Sequence, residues 1–178
     1  MRTERPKKPR PPLDGEALER LAISYVGRYG TTKAKLTGYL ARKLRERGWA
    51  GEGPAPLDAL PERFCRLGYI DDGAFATARA ASLLRRGFGQ RRVAEALRAA
   101  GVDPADSEAA REQARDGAWA AALRFAERKR LGPFAAQKHD REARRKAFAA
   151  MMRAGHPADI SRRLLDAPPG IIPDSDSG

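Results

Sequence analysis

The residues best suited to chemistry in this chain are cations that surround an aromatic side chain where a helix breaks at glycine. One such turn surrounds Phe88 and an earlier one surrounds Tyr29. Cations around an aromatic ring suit a phosphate backbone with an adjoining base, or an acidic groove of a protein. The predicted partner- or DNA-binding residues are Arg28, Tyr29, Lys33, Arg85, Arg86, Phe88, Arg91 and Arg92 at these turns, and Arg128, Lys129, Arg130, Arg141, Arg144 and Arg145 further along the chain.

A plainer role is open to each of these arginines, which could solvate a helix face or cap a helix C-terminus. Their recurrence at equivalent turns favours binding. No helix of the major-groove recognition type is evident. Any affinity for DNA would therefore be electrostatic, sensitive to salt and mostly independent of sequence.

Groups that could catalyse a reaction or hold a metal are sparse. The two histidines, His139 and His156, have no second ligand-type residue at metal spacing, and the single cysteine, Cys65, lacks a neighbouring cation or helix N-terminus that would lower its thiol pKa. The adjacent carboxylates Asp71 and Asp72 are explained as helix N-caps. The sequence therefore predicts no catalytic, cofactor-binding or metal-binding residues, and no enzyme.

Charge points to the class of partner. The chain has 178 residues and a formal net charge of +12, with a pI of about 10.5. Such a balance favours a polyanion: nucleic acid, an anionic membrane surface or an acidic protein. No apolar run approaches the roughly 18 residues of a membrane span and no signal-peptide core follows the N-terminus, so we expect a cytoplasmic protein.

The elements that must position these residues are helices, because the composition leans on Ala, Leu, Arg and Glu and is poor in β-branched residues. Apolar periodicity and glycine stops predict nine helices. The first covers about 16–28, the second runs from a cap at Thr31 or Thr32 to Gly48, the next six cover about 58–67, 72–86, 90–100, 104–113, 116–130 and 141–154, and the ninth begins at Pro157. The sequence leaves open whether the sixth helix fuses with the seventh.

An internal repeat is visible in these helices. The second, fifth and eighth each end with an apolar residue followed four positions later by a glycine, namely Gly48, Gly101 and Gly155, which lie 53 and 54 residues apart. Modules of this size have thin cores and stack on their neighbours. The fold prediction is all-α, with three tandem three-helix repeats in an elongated, curved array. The predicted segments are a disordered basic arm at 1–14, repeats at 15–69, 70–115 and 116–166, and a disordered tail at 167–178.

The second repeat carries a family resemblance. Gly68-Tyr69-Ile70-Asp71-Asp72, Phe75-Ala76, Arg86-Gly87-Phe88-Gly89, Arg92-Val93 and Leu97 to Gly101-Val102 occur in an ordered stretch of about 35 residues. This stretch resembles the signature of the RecX regulatory proteins, and the likeness extends from about Leu18 to Leu165.

The resemblance implies a fold and a function. Members of this family consist of three tandem three-helix repeats, bind the RecA recombinase in the groove of its nucleoprotein filament, and restrain its growth, ATPase, strand-exchange and coprotease activities in recombination, DNA repair and the SOS response. They need no cofactor, and many bind single- or double-stranded DNA weakly. We expect a monomer.

The chain departs from the family pattern at three places. Ala96 stands where the family often has Glu, the turn Tyr29 to Lys33 replaces a shorter Ser-Arg turn, and the loop 50–56 is an apparent insertion. These changes affect the contacts expected of the first repeat and leave the architecture unchanged. The competing interpretation is a sequence-independent DNA-binding helical repeat that acts without a recombinase.

Overall fold

The computed structural model describes residues 11–175, and this part of the chain is all-helical, as predicted. It divides between Asp71 and Asp72 into two compact units, each described by itself below. The described residues form α1 (Gly15–Val26), α2 (Lys33–Arg47), α3 (Ala59–Arg66), α4 (Asp72–Arg85), α5 (Gln90–Ala99), α6 (Glu108–Asp116), α7 (Ala118–Lys129), a short 3-10 helix (Gly132–Phe134), α8 (Arg141–Arg153) and α9 (Ala158–Asp166).

The first unit packs α1, α2 and α3 around one apolar core. Leu18, Leu36, Leu40 and Phe64 are buried in it, at the inward positions that the apolar spacing predicts. Of the two threonines proposed as caps, Thr32 caps α2, because its hydroxyl oxygen accepts a hydrogen bond from the Lys35 N–H at 3.2 Å.

The beginning of this unit differs from the predicted arm at 1–14. Leu13 is fully buried, and its backbone exchanges hydrogen bonds with Gly48 and Ala50 at 2.9 and 2.8 Å. Asp14 caps α1 by accepting from the Ala17 N–H at 2.8 Å. The boundary therefore moves toward the N-terminus, because one leucine in a proline-rich basic stretch finds a core that the local sequence does not reveal. Residues 1–10 of the predicted arm lie outside the described residues.

The second unit contains two further three-helix groups. The core of α4, α5 and α6 includes Ala80, Leu83 and Leu97, and that of α7, α8 and α9 includes Met151 and Leu164. Alanines are common in both cores, and their small side chains let helices approach closely. The predicted apolar stripes of α4 and α5 are buried as expected.

The sixth helix begins later than predicted. Its expected start at Pro104 is instead a turn in which the Asp103 carboxylate accepts from the Ala105 N–H at 2.9 Å, and α6 starts at Glu108. Helices α6 and α7 are separate, because Gly117 ends the first and precedes the second.

The described part of the predicted tail has a defined position. The Gly170 N–H donates to the Pro133 carbonyl at 2.8 Å, and the Arg163 guanidinium donates to the backbone carbonyls of Asp174 and Ser175. Residues 167–175 therefore lie beside α9 and the 3-10 helix, whereas the sequence predicted disorder from Ala167. Residues 176–178 lie outside the described residues.

Candidate functional site

The basic turn after α4 is held tightly against the third repeat. Gly89 donates to the Ala154 carbonyl at 2.9 Å, and the Arg91 N–H donates to the Gly155 carbonyl at 3.1 Å. Two glycines meet here: a Cβ on Gly89 would overlap the Gly155 carbonyl, and one on Gly155 would overlap the Arg92 backbone nitrogen. The glycines of this turn therefore permit a close joint between two repeats as well as ending helices.

The aromatic ring of this turn is part of the core. Phe88 is half-buried and packs against both the second and the third apolar core. The Arg86 guanidinium carbon lies 5.2 Å from its ring centroid, within cation–π range. Arg86 and the ring therefore lie together, and the half-buried ring also packs against the two cores.

Arginines brace the same joint. Arg128 Nη1 donates to the Arg86 carbonyl at 2.6 Å, and the Arg91 guanidinium donates to the Met152 carbonyl. Arg91 and Arg92 also lie 3.7 and 3.4 Å from Glu95 carboxylate oxygens. We call Arg86, Arg91, Arg92 and Arg128 the basic joint. The exposed guanidinium groups of Arg91, Arg92 and Arg128 are positioned by backbone bonds or by the shared Glu95 carboxylate, and that of Arg86 lies over the Phe88 ring.

A neutral histidine lies beneath the basic joint. His156 is 2 % exposed, and its ring centroid is 5.2 Å from that of Phe125. Burial lowers the pKa of His156 to about 4, and the charge of Arg128 acts in the same direction. The Gly87 backbone opposes this shift, yet neither ring nitrogen makes a hydrogen bond of normal geometry with a described residue.

A second basic group lies in the third repeat and shares no residue with the basic joint. Arg144 Nε donates to an Asp166 carboxylate oxygen at 3.0 Å, and the Arg162 guanidinium lies 5.5 Å from the Phe148 ring centroid. A cleft of about 660 Å³ brings three predicted site residues together with three that were not predicted as site residues, and its lining is Arg141, Glu142, Arg144, Arg145, Phe148 and Arg162.

The other predicted residues of this unit are spread out. Arg85 lines a separate cleft of about 700 Å³ with Arg124, where Glu112 and Asp116 offset the positive charge. Lys129 is exposed on the last turn of α7. Arg130 follows it in the left-handed conformation with φ 54°. Lys129 and Arg130 line neither of these clefts.

The three site residues predicted in the first unit, Arg28, Tyr29 and Lys33, do not all lie together. Arg28 and Tyr29 line a cleft of about 430 Å³, together with Tyr25, Tyr39, Arg42 and Ser24. Lys33 instead pairs with Glu62, and the hydrogen bond and charge of Lys33 hold the pKa of Glu62 below its usual value.

Tyr29 was predicted as a site residue, whereas Tyr25 and Tyr39 were expected on the core face of their helices; both do pack against the first core and also line this cleft. A signal was available: Tyr25 and Tyr29 are four residues apart, as are neighbours on one helix face, and Arg42 follows Tyr39 by three.

Within residues 11–175 no group of three or more His, Cys, Asp or Glu side chains is arranged to hold a metal ion. None of the helices described is both long and apolar enough to cross a membrane.

Comparison with known proteins yields one family. The family model described as RecX, second three-helix domain, matches residues 71–110. The regulatory protein RecX of Myxococcus xanthus is 35 % identical over 176 residues, covering 92 % of this chain and 91 % of that protein. The regulatory protein RecX of Agrobacterium fabrum is 30 % identical over 138 residues, covering 75 % and 73 %.

Solved structures share the fold. The crystal structure of RecX from Lactobacillus salivarius superposes with a TM-score of 0.61 at 16 % identity, covering 84 % of this chain and 93 % of that one. A second crystal structure, of a regulatory protein RecX, gives a TM-score of 0.60 at 17 % identity, covering 85 % and 73 %. At these identities the likeness concerns the three-helix architecture alone.

Proposed function

Because this chain belongs to the RecX family of regulatory proteins, we propose that it binds the RecA recombinase in its nucleoprotein filament and mainly inhibits its ATPase, strand-exchange and coprotease activities. The observation that carries the proposal is the 35 % identity to a regulatory protein RecX over 92 % of the chain. The proposal includes a monomeric, cytoplasmic protein without catalytic residues, acting in recombination, DNA repair and the SOS response.

The mechanism we propose is attachment through many modest contacts. A helical-repeat protein can touch several protomers of a filament at once, so that effective concentration replaces a single deep pocket. The basic joint and the arginine cleft of the third repeat would each meet an acidic surface of the filament or the phosphates of its DNA.

The fixed geometry of the basic joint supports this role. A long arginine side chain loses rotamer freedom when it binds, and that loss costs roughly 0.5–1.5 kcal/mol for each side chain. Arg128 and Arg91 are already held by the Arg86 and Met152 carbonyls. Part of the ordering cost of the joint is therefore met in the folded protein before any partner arrives.

A second candidate function is sequence-independent DNA binding without a recombinase, which the net charge of +12 favours. The two proposals differ in stoichiometry and in salt dependence. A filament regulator acts below one copy per recombinase monomer, whereas a competitor for DNA must coat the strand and is displaced by salt.

The test titrates this protein into a RecA ATPase assay on single-stranded DNA at two salt concentrations. We expect inhibition at substoichiometric ratios that is weakened but not abolished at the higher salt. Inhibition only at ratios that coat the DNA, and lost at the higher salt, would refute action on the filament and favour the second candidate.

A charge-reversed pair locates the contact. Arg86→Glu with Arg92→Glu avoids the two arginines that bond to backbone carbonyls across the joint, so we expect unchanged helicity and weaker inhibition. The matched control is Arg79→Glu with Arg98→Glu, which makes the same charge change at exposed positions of the same repeat outside the joint. If the two double variants lost inhibition to the same extent, overall charge, and not the basic joint, would determine binding.

A further inference from the structure

The first repeat contains an aromatic cleft that the proposed function does not use. It has a volume of about 430 Å³ and lies entirely within the first unit, between α1 and α2. Its volume is in the range of small-ligand sites. The side chains that line it are Ser24, Tyr25, Arg28, Tyr29, Tyr39 and Arg42.

The three tyrosines form a partly ordered aromatic surface. The rings of Tyr25 and Tyr39 are stacked, with centroids 4.3 Å apart and planes inclined by 16°. Tyr29 meets Tyr25 at 5.6 Å with an inclination of 52°. Tyr29 is 60 % exposed, so much of its surface is available to a ligand.

Positive charge surrounds this surface. The Arg42 guanidinium and the Lys43 ammonium lie 5.6 and 5.9 Å from the Tyr39 ring centroid. Glu46 offsets part of this charge, with carboxylate oxygens 3.8 Å from Arg42 and 2.6 Å from Lys43. Arg28 adds a second guanidinium to the lining, and no carboxylate lines the cleft.

Together these features favour one ligand chemistry. An aromatic face beside arginines suits a nucleobase with its phosphate, since every base has a π-face that can stack on tyrosine. Bases in a duplex are already stacked and enter such a cleft only when unpaired. A peptide is less well matched, because the lining contains no aliphatic side chain to receive an apolar anchor.

We propose that this cleft binds single-stranded nucleic acid, with a base stacked on Tyr29 and the adjoining phosphates contacted by Arg28 and Arg42. This contact goes beyond regulation of the recombinase, since it needs only an unpaired strand. It also gives the first repeat a binding role of its own.

The test measures binding of the full chain to a fluorescently labelled oligothymidylate of about 15 nucleotides by anisotropy, without recombinase. Stacking on an aromatic side chain contributes enough that its loss weakens binding at least fivefold, and we expect that loss for Tyr29→Ala. Tyr29→Phe keeps the ring and should bind like the unaltered protein. Tyr69→Ala is the matched control, because Tyr69 is 63 % exposed in the same unit but lies outside the cleft.

An abasic strand of the same length separates stacking from charge. On this strand Tyr29→Ala and the unaltered protein should bind equally, since no base is present to stack. Unchanged affinity of Tyr29→Ala for oligothymidylate, or an equal loss on the abasic strand, would overturn the proposal.

The ATPase assay separates this site from the proposed function. If Tyr29→Ala lost inhibition of RecA while binding oligothymidylate normally, the cleft would be a protein contact and our assignment would be wrong. If Tyr29→Ala lost oligothymidylate binding in a protein that does not inhibit RecA at all, the cleft would stand and the regulatory proposal would fall.

Discussion

The buried histidine makes the stability of the second unit depend on pH. His156 has a pKa of about 4 in the folded protein, against an ordinary value of 6.5. The unfolded chain therefore binds a proton more readily than the folded one, and stability is complete above the unfolded pKa and is lost as the pH falls from 6.5 toward 4. Lowering the pH from 7.5 to 5.0 should cost about 2 kcal/mol through this group.

The perturbation that isolates His156 is its replacement by phenylalanine, which keeps a ring of similar shape beside Phe125 and cannot titrate. All other ionisable groups are common to both proteins, so the difference between their pH responses belongs to His156. We expect His156→Phe to lose about 2 kcal/mol less than the unaltered protein between pH 7.5 and 5.0.

The assay is urea unfolding followed by fluorescence of Trp119, which packs against the core of the third repeat. A Trp49→Phe background removes the other tryptophan, which belongs to the first unit. Slopes of the unfolding curves should agree between variants, so that midpoints report free energies. Equal losses of stability in the two proteins on acidification would refute the reasoning, since His156 would then titrate normally or not be buried.

Three further predictions concern packing and charge. Gly155→Ala should lower the free energy of unfolding by about 2 kcal/mol or more, because Gly155 has φ 91° and an added Cβ would overlap the Arg92 backbone. The control is Gly38→Ala in α2, which should be neutral or stabilising because a Cβ there meets nothing within 4 Å. Leu13→Ala should cost about 2–5 kcal/mol in urea unfolding because Leu13 is fully buried, and a cost as small as that of Leu67→Ala, at a residue 60 % exposed, would contradict this. The logarithm of the affinity for single-stranded DNA should fall linearly with the logarithm of salt concentration, by about 0.7 for each phosphate contacted, and a flat dependence would exclude an electrostatic contact.

The elements of the fold could be predicted from the sequence because their signals are local. The spacing of Ala76, Ala80, Leu83 and Leu84 defines the buried face of α4 without reference to any other helix. The recurring glycine stops identified three repeats for a similar reason, since each depends on a few neighbouring residues. Errors arose where a local signal was ambiguous, as at Pro104, where a proline that commonly opens a helix lies in a turn instead.

The candidate site shows where such reasoning ends. The positions of the cations are a property of the sequence, and those named at the basic joint do lie on two adjoining repeats. The partners of these cations cannot be read from the sequence. Lys33 forms an ion pair with Glu62, and Arg162 lines the same cleft as Arg144, which lies 18 residues earlier in the chain. Long flexible side chains have several partners within reach, and only the packed backbone decides which is met.

By itself, the sequence determined that this protein is all-helical, three-fold repetitive, strongly basic and a member of one family, because composition, periodicity and motif order survive without coordinates. The tertiary structure decided how far each aromatic ring is exposed. Phe88 and Tyr29 occupy equivalent turns, yet Phe88 is half-buried against two cores and Tyr29 remains exposed beside Tyr25. That difference depends on close approach of residues far apart in the chain, such as Gly89 to Gly155, which no local pattern encodes.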